Sequence, residues 1–170
     1  QTRSSSFTYY TAADGVKNGL LKSETIEPGI AQMGVVTTYD YDSYGNKIKA
    51  TTANVSGASA VAVFAARASS SSFAAQTVTI PGSAPITTPA GTFATIASNA
   101  LLQSESHTFD PRFGVALSLT GPNALTTTWQ VDNFGRKVKE TRADGTATVT
   151  YYCYLSGTAV SNITSNSPEC

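Results

Sequence analysis

Thirteen residues of this chain occur twice. Thr37 to Lys49 reads TTYDYDSYGNKIK, and Thr127 to Lys139, ninety residues on and without a gap, reads TTWQVDNFGRKVK. A segment restated with the same chemistry at the same spacing marks a repeat architecture, in which each unit buries its apolar face against its neighbours. That points toward a structural or enclosing protein and away from a compact enzyme.

The unit reads as a strand, a turn and a return strand. Thr-Thr-aromatic followed by alternating residues has the period of two and the β-favouring composition of a strand. Asp42 and Asp132 open the turn, where a carboxylate can accept backbone N–H bonds two residues on. Gly45 and Gly135 supply the positive φ that a tight hairpin needs. Lys-Ile-Lys and Lys-Val-Lys then put one apolar residue inward and lysines outward, which discourages edge-to-edge aggregation.

Further copies are degenerate. Leu20–Thr25 matches Leu101–Ser106, each upstream of one copy of the unit. Phe109-Asp110-Pro111-Arg112-Phe113-Gly114 keeps apolar-Asp and aromatic-Gly with one extra residue between them. Asp144-Gly145 between two alternating runs is a hairpin signal. In the middle of the chain, alanines at 58–75 favour a helix, whereas alternation of Val61, Val63 and Ala65 favours a strand. Ser69–Ser72 reads as a loop. Gln76–Gly82 reads as a strand ending in a turn, and Thr92–Ile96 as another short strand.

Tyr-Asp-x-aromatic-Gly-Asn/Arg-x-Ile/Val resembles the YD repeat of bacterial Rhs proteins, of the enclosing components of insecticidal toxin complexes, and of animal teneurins. Phe7-Thr8-Tyr9-Tyr10, Leu21–Gly29, Phe109–Gly114, Val131–Arg136 and Arg142–Thr146 are similar to the Rhs branch. The resemblance implies an all-β fold of repeated antiparallel hairpins, joined into a curved or spiralling sheet that closes into a hollow shell around an effector. It implies one YD-repeat segment over residues 1–170. Its units lie at about 1–50 and 101–153, with a variable Ala/Ser-rich insert at 53–100. A closed shell needs many more repeats than this, and the self-cleaving aspartate motif that caps such shells has no match here. The chain is therefore expected to be a section of a larger protein, or a short relative that assembles to cover its edges. Its expected partners are neighbouring YD repeats or identical subunits, an enclosed effector, or surface glycans.

Composition narrows the function classes. Eleven basic and eleven acidic residues cancel, leaving no electrostatic footprint for nucleic acid or anionic membrane. Charged residues make up 13%, about half the usual share. Ser and Thr take over surface solubility, a pattern common in extracellular β proteins, and the expected location is extracellular or at the cell surface. No run approaches the ~20 apolar residues of a membrane span. The two cysteines, Cys153 and Cys170, flank a polar loop. A disulfide closing it would contribute roughly 3 kcal/mol in the chain-entropy model; two free thiols in a reducing compartment are the other reading. A similar Cys-loop-Cys follows the Asp-Gly-Thr hairpin in some Rhs-like proteins.

Catalytic and metal readings find little support in the sequence. His107 is the only histidine, so a Ser-His-Asp triad would have to use it, with Asp110 three residues along. Asp40 and Asp42 could pair on one face of a strand for glycoside hydrolysis or calcium. The second copy has Gln130 at the Asp40 position, however, so only the turn aspartate recurs. No enzymatic activity, cofactor or metal is expected. The strand aromatics allow two roles, cross-strand packing or stacking on sugars, the latter at Tyr39, Tyr41 and Trp129. The sequence thus leaves three functions: a shell-wall segment, a self-assembling extracellular filament, or a carbohydrate-binding adhesion module.

Overall fold

The computed structural model describes residues 3–28, 33–55, 64–80 and 82–152. Cys153 and Cys170 lie outside the described residues. The described chain is all-β apart from one short 3-10 helix, Ala12–Lys17. Its strands are β1 (Ser5–Tyr9), β2 (Leu21–Ile26), β3 (Val35–Tyr41), β4 (Lys47–Asn54), β5 (Arg67–Ser72), β6 (Gln76–Val78), β7 (Ile86–Thr88), β8 (Ile96–Ser98), β9 (Ser104–Phe109), β10 (Ala116–Thr120), β11 (Thr126–Val131), β12 (Lys137–Thr141) and β13 (Ala147–Val149). Eleven of them form one antiparallel sheet in the order β1-β2-β3-β4-β5-β8-β9-β10-β11-β12-β13, and β6 and β7 pair with each other. The chain divides into two compact units. One is Gln1–Thr77 with Thr87–Ser106, the other Val78–Ile86 with His107–Cys170.

Five turns among the described residues share one hydrogen-bond pattern, at 42–46, 99–103, 121–125, 132–136 and 142–146. In each, the first residue's N–H donates to the fifth residue's carbonyl, and the fourth residue's N–H donates to the first residue's carbonyl. The fourth residue always has positive φ: Gly45 86°, Leu102 60°, Ala124 60°, Gly135 79° and Gly145 82°. This is the three-residue hairpin loop in which a turn is completed by one left-handed residue. The 110–115 turn has the extra residue read from the sequence. Asp110 N–H donates to the Val115 carbonyl, and Gly114 carries the positive φ, 67°.

The ninety-residue repeat recurs in the pairing. β3 and β4 shift register between Asp40 and Tyr41, and β11 and β12 shift between Gln130 and Val131, the same place in each copy. The upstream match is looser. Leu21 begins β2, whereas Leu101 and Leu102 sit in the 99–103 turn, 77% and 88% exposed.

The middle of the chain departs from expectation at two points. The Ser69–Ser72 run is strand, not loop, because β5 is held on both sides: Ser69 pairs with Ala50, Ser70 with Lys49 and Ser98, and Ser72 with Ile96. Pairing on two flanks overrides serine's poor strand propensity. The short strand expected at Thr92–Ile96 begins only at Ile96; Thr95 before it is buried, and its N–H and hydroxyl both donate to the Ser72 carbonyl (2.8 and 3.1 Å). The Ala58–Val63 stretch lies outside the described residues.

Burial is shallow. Among the described residues, Ile80 at 8% exposure is the only large apolar side chain that is buried. Cross-strand hydroxyl pairs line the sheet instead, with Thr8–Ser23 at 2.7 Å, Thr37–Thr52 at 3.1 Å, Thr108–Ser118 at 2.7 Å and Thr120–Thr126 at 2.8 Å.

Two of the glycines carry a second load. A Cβ on Gly135 would lie 2.7 Å from Cγ of Phe113, and one on Gly91 would overlap the Tyr44 ring, whereas one on Gly145 would meet nothing. Gly145→Ala should therefore cost only the left-handed backbone term, about 1–2 kcal/mol. Gly135→Ala should cost that plus roughly 1–3 kcal/mol of overpacking. Urea unfolding of the two variants measures the difference; equal losses would mean that Phe113 does not rest on Gly135.

Candidate functional site

The residues singled out by the sequence fall into two groups, the turn caps and the strand aromatics. Asp42 Oδ1 accepts the Tyr44 and Asn46 amides at 2.8 and 2.9 Å, and Asp132 Oδ1 accepts those of Phe134 and Arg136, both at 2.9 Å. The fifth residue of each turn closes the other carboxylate oxygen: Asn46 Nδ2 reaches Asp42 Oδ2 at 3.1 Å, and Arg136 Nε reaches Asp132 Oδ2 at 2.7 Å. Asp144 caps from the third position, with Oδ1 accepting the Thr146 amide at 2.9 Å and its hydroxyl at 2.7 Å. All three carboxyls lie below the usual range. At Asp42 and Asp132, partial desolvation pushes up and is outweighed by donors from Asn46 and from Arg136, respectively; at Asp144 the Thr146 hydroxyl leads.

Asp110 is the deepest of these groups, fully buried, and its charge is matched by Arg112. Arg112 Nε donates to Oδ1 at 3.1 Å and Nη2 to Oδ2 at 2.8 Å. This arginine, ahead of the backbone amides of Arg112 and Phe113, holds the carboxyl below its ordinary range against burial. The carboxylate that a triad would need is thus committed to Arg112, and His107 stacks on Phe109 with ring centroids 5.9 Å apart. Asp40 and Asp42 are also used separately. Asp40 Oδ1 accepts Lys17 Nζ at 2.6 Å, while Asp42 faces its own turn. No group of three or more His, Cys, Asp or Glu side chains among the described residues is placed to hold a metal ion. No helix among them is long and apolar enough to cross a membrane.

Tyr39 and Trp129 hold equivalent places in the two copies, and so do the lysines beside them. Lys47 Nζ lies 5.3 Å from the Tyr39 ring centre, and Lys137 Nζ lies 3.8 Å from that of Trp129. Each ring also donates to a glutamate on a neighbouring strand, Tyr39 hydroxyl to Glu24 at 2.7 Å and Trp129 Nε1 to Glu140 at 3.1 Å. Tyr41 donates to the Leu21 carbonyl at 3.0 Å and meets Tyr10 edge-on, 6.0 Å between centroids. The polar tips of all three sugar-stacking candidates are occupied within the fold, and lysines lie over two of the rings. Trp129 borders a cleft of about 290 Å³ with Thr79, Ile80, Arg112, Leu117 and Asn133.

Sequence reading missed two turns, Asn99–Gln103 and Gly121–Leu125, because Leu102 and Ala124 stand where glycine is expected. A signal was present: the first residues of successive turns, Asn99, Asp110, Gly121 and Asp132, recur every eleven residues.

Two titrations follow from these contacts. The Tyr39 hydroxyl is pushed up to about 12, first by its bond to Glu24 and then by burial. A folded value above the unfolded one, about 10, means stability that is complete below pH 10 and lost as the pH climbs through 12. Glu24→Gln should bring the tyrosinate transition, read by ultraviolet absorbance, back toward 10. At the acid end, Asp110 contributes stability above its unfolded value of about 4, lost as the pH falls through its lower folded value. Asp110→Asn should cost about 2 kcal/mol at neutral pH and flatten the acid limb of a stability–pH curve.

No protein-family model matches the chain, and no curated protein matches it.

Proposed function

We propose that this chain is a non-catalytic structural segment of a secreted or cell-surface YD-repeat protein of the Rhs type, part of the wall of a β-shell that encloses or displays an effector. The observation that carries this reading is the depth of the repeat. The two copies share the capped turn, the register shift and the lysine over the aromatic ring. Such restatement supports units meant to be stacked, since each repeats the contacts of its neighbour rather than building a unique site. Shallow burial supports it as well: a wall section keeps apolar side chains for whatever lies beside it, and Phe7, Tyr9, Phe134 and Tyr151 are all more than half exposed.

A filament built from copies of this chain is the second reading. It is favoured by the two outer strands, for among the described residues β1 and β13 each pair on one side only, and every residue of both is exposed. An open strand edge is a template for another chain, and a heterologous contact that does not close makes a fibre. The sugar-binding module has less support, given the lysines over Tyr39 and Trp129. Electron microscopy of native material, with intact mass measured alongside, separates the first two. Hollow particles from a parent chain well above 17.7 kDa are the expected result. Fibres of 170-residue subunits would replace the shell with the filament.

A further inference from the structure

Within the thirteen-residue repeat, two positions change charge between the copies, and both change toward positive. Asp40 in the first copy is Gln130 in the second, and Asn46 is Arg136. The lysine across the strand pair does not change: Lys49 is the register partner of Asp40, and Lys139 that of Gln130. In the first copy the chain supplies this lysine with a carboxylate of its own. Asp40 is held below the ordinary carboxylate range by its 2.6 Å bond to Lys17 first, then by the Tyr41 amide, with the charge of Lys49 adding to them. In the second copy an amide takes that place, and among the described residues Lys139 makes no ion pair.

Both altered residues line one cleft of the second unit. Gln130, Arg136 and Lys139 share a hollow of about 340 Å³ with Thr150, Tyr151 and Tyr152. Its charges do not cancel. Arg136 is matched by Asp132, whose Oδ2 accepts Nε at 2.7 Å, and Lys139 is left as the surplus. Asp132 is spent, since its Oδ1 already takes the Phe134 and Arg136 amides. The Arg136 guanidinium is fixed between rings, 5.2 Å from the centre of Phe134 and 4.3 Å from that of Tyr152. Gln130 and Thr150 are exposed, and so is the Tyr151 ring, by more than half. A hollow of this size with a few convergent polar groups suits a small ligand. Its donors suit one class in particular. A carboxylate takes the lysine and the arginine by charge-assisted bonds, the amide and the hydroxyl meet sugar hydroxyls, and the C–H face of a sugar ring lies on tyrosine, apolar in its body and polar at its tip.

We propose that this cleft binds a carboxylate-bearing sugar, a uronic acid unit of an acidic polysaccharide, with the ligand's carboxylate standing in for the one that Asp40 supplies in the first copy. The site goes beyond the shell and filament readings and depends on neither. It uses none of Tyr39, Tyr41 and Trp129, whose polar tips are engaged within the fold. Calorimetric titration of the chain with a galacturonic acid oligomer tests it, with the methyl-esterified oligomer and polyglutamate alongside. The acidic oligomer should bind and its ester should not. Lys139→Ala should weaken binding about tenfold. Gln130→Asp, which gives the second copy the carboxylate of the first, should weaken it at least as much, in a residue type that the first copy already carries at that place. Lys49→Ala removes the same charge from the first copy and should leave the affinity unchanged. No binding of the acidic oligomer, equal binding of its ester, or a loss in Lys139→Ala no greater than in Lys49→Ala would overturn the proposal. Polyglutamate binding with the same dependence on Lys139 would also overturn it, because the ligand would then be an acidic peptide.

Discussion

One residue in the left-handed region, placed fourth in a five-residue turn, governs this sheet. It lets a hairpin reverse in three loop residues with a twist that suits the strands, and it fixes which residue faces which. Register needs such a device here. In most sheets a buried apolar face penalises a one-residue slip, but this sheet buries little, and many of its paired positions are Thr or Ser that look alike from either register. The turns at 42–46 and 132–136 restore definition by tying both ends of each loop to one carboxylate. The register shift beside each of them falls at the same place, as expected if the turn, rather than the strand, sets the alignment.

Stability must then come from many small cross-strand terms. Hydroxyl pairs such as Thr37–Thr52 and Thr120–Thr126, and ring–lysine pairs such as Trp129–Lys137, each contribute roughly 0.2–1 kcal/mol. Asp110 with Arg112 is the exception, a fully buried carboxylate whose loss would leave a guanidinium without its partner. Contributions of this kind are distributed along the sheet rather than gathered in a core, so each hairpin is held mainly by the two beside it. Such a chain tolerates changes in length more readily than changes in the turn.

This division explains what the sequence revealed. Asp42, Gly45, Asp132, Gly135, Asp144 and Gly145 are residue types with few alternatives at their positions, and their spacing was legible as turns. The alternating Thr-aromatic runs were legible as strands for the same reason. Ser69–Ser72 was not, because nothing in four serines announces a strand; its conformation is imposed by Ala50 and Lys49 on one side and Ala97 and Ser98 on the other. Leu102 and Ala124 hid two turns by adopting a φ of 60° without glycine, a strain that neighbouring pairing can absorb. The lysines over Tyr39 and Trp129 were present in the sequence as mere outward-facing residues. Only the fold shows that they lie over the rings that looked free for a sugar.

The order Asp-x-aromatic-Gly can now be given a cause. In the second unit, the 132–136 turn is capped from its first position by Asp132, and this frees the third position for Phe134. The 121–125 and 142–146 turns begin with Gly121 and Arg142, and there the third residue turns inward as the cap: Asn123 accepts the Leu125 amide, and Asp144 that of Thr146. A cap in the third position and a ring in the third position exclude each other. Moving the carboxylate to the head of the turn is what allows an aromatic ring to leave it and reach the next connection. The glycine that follows then serves twice, supplying positive φ to its own turn and a bare α-carbon on which the preceding ring can rest, as Gly135 does for Phe113. At Tyr44 and Phe113 the ring thus ties its own turn to the glycine of the next connection, Gly91 and Gly135.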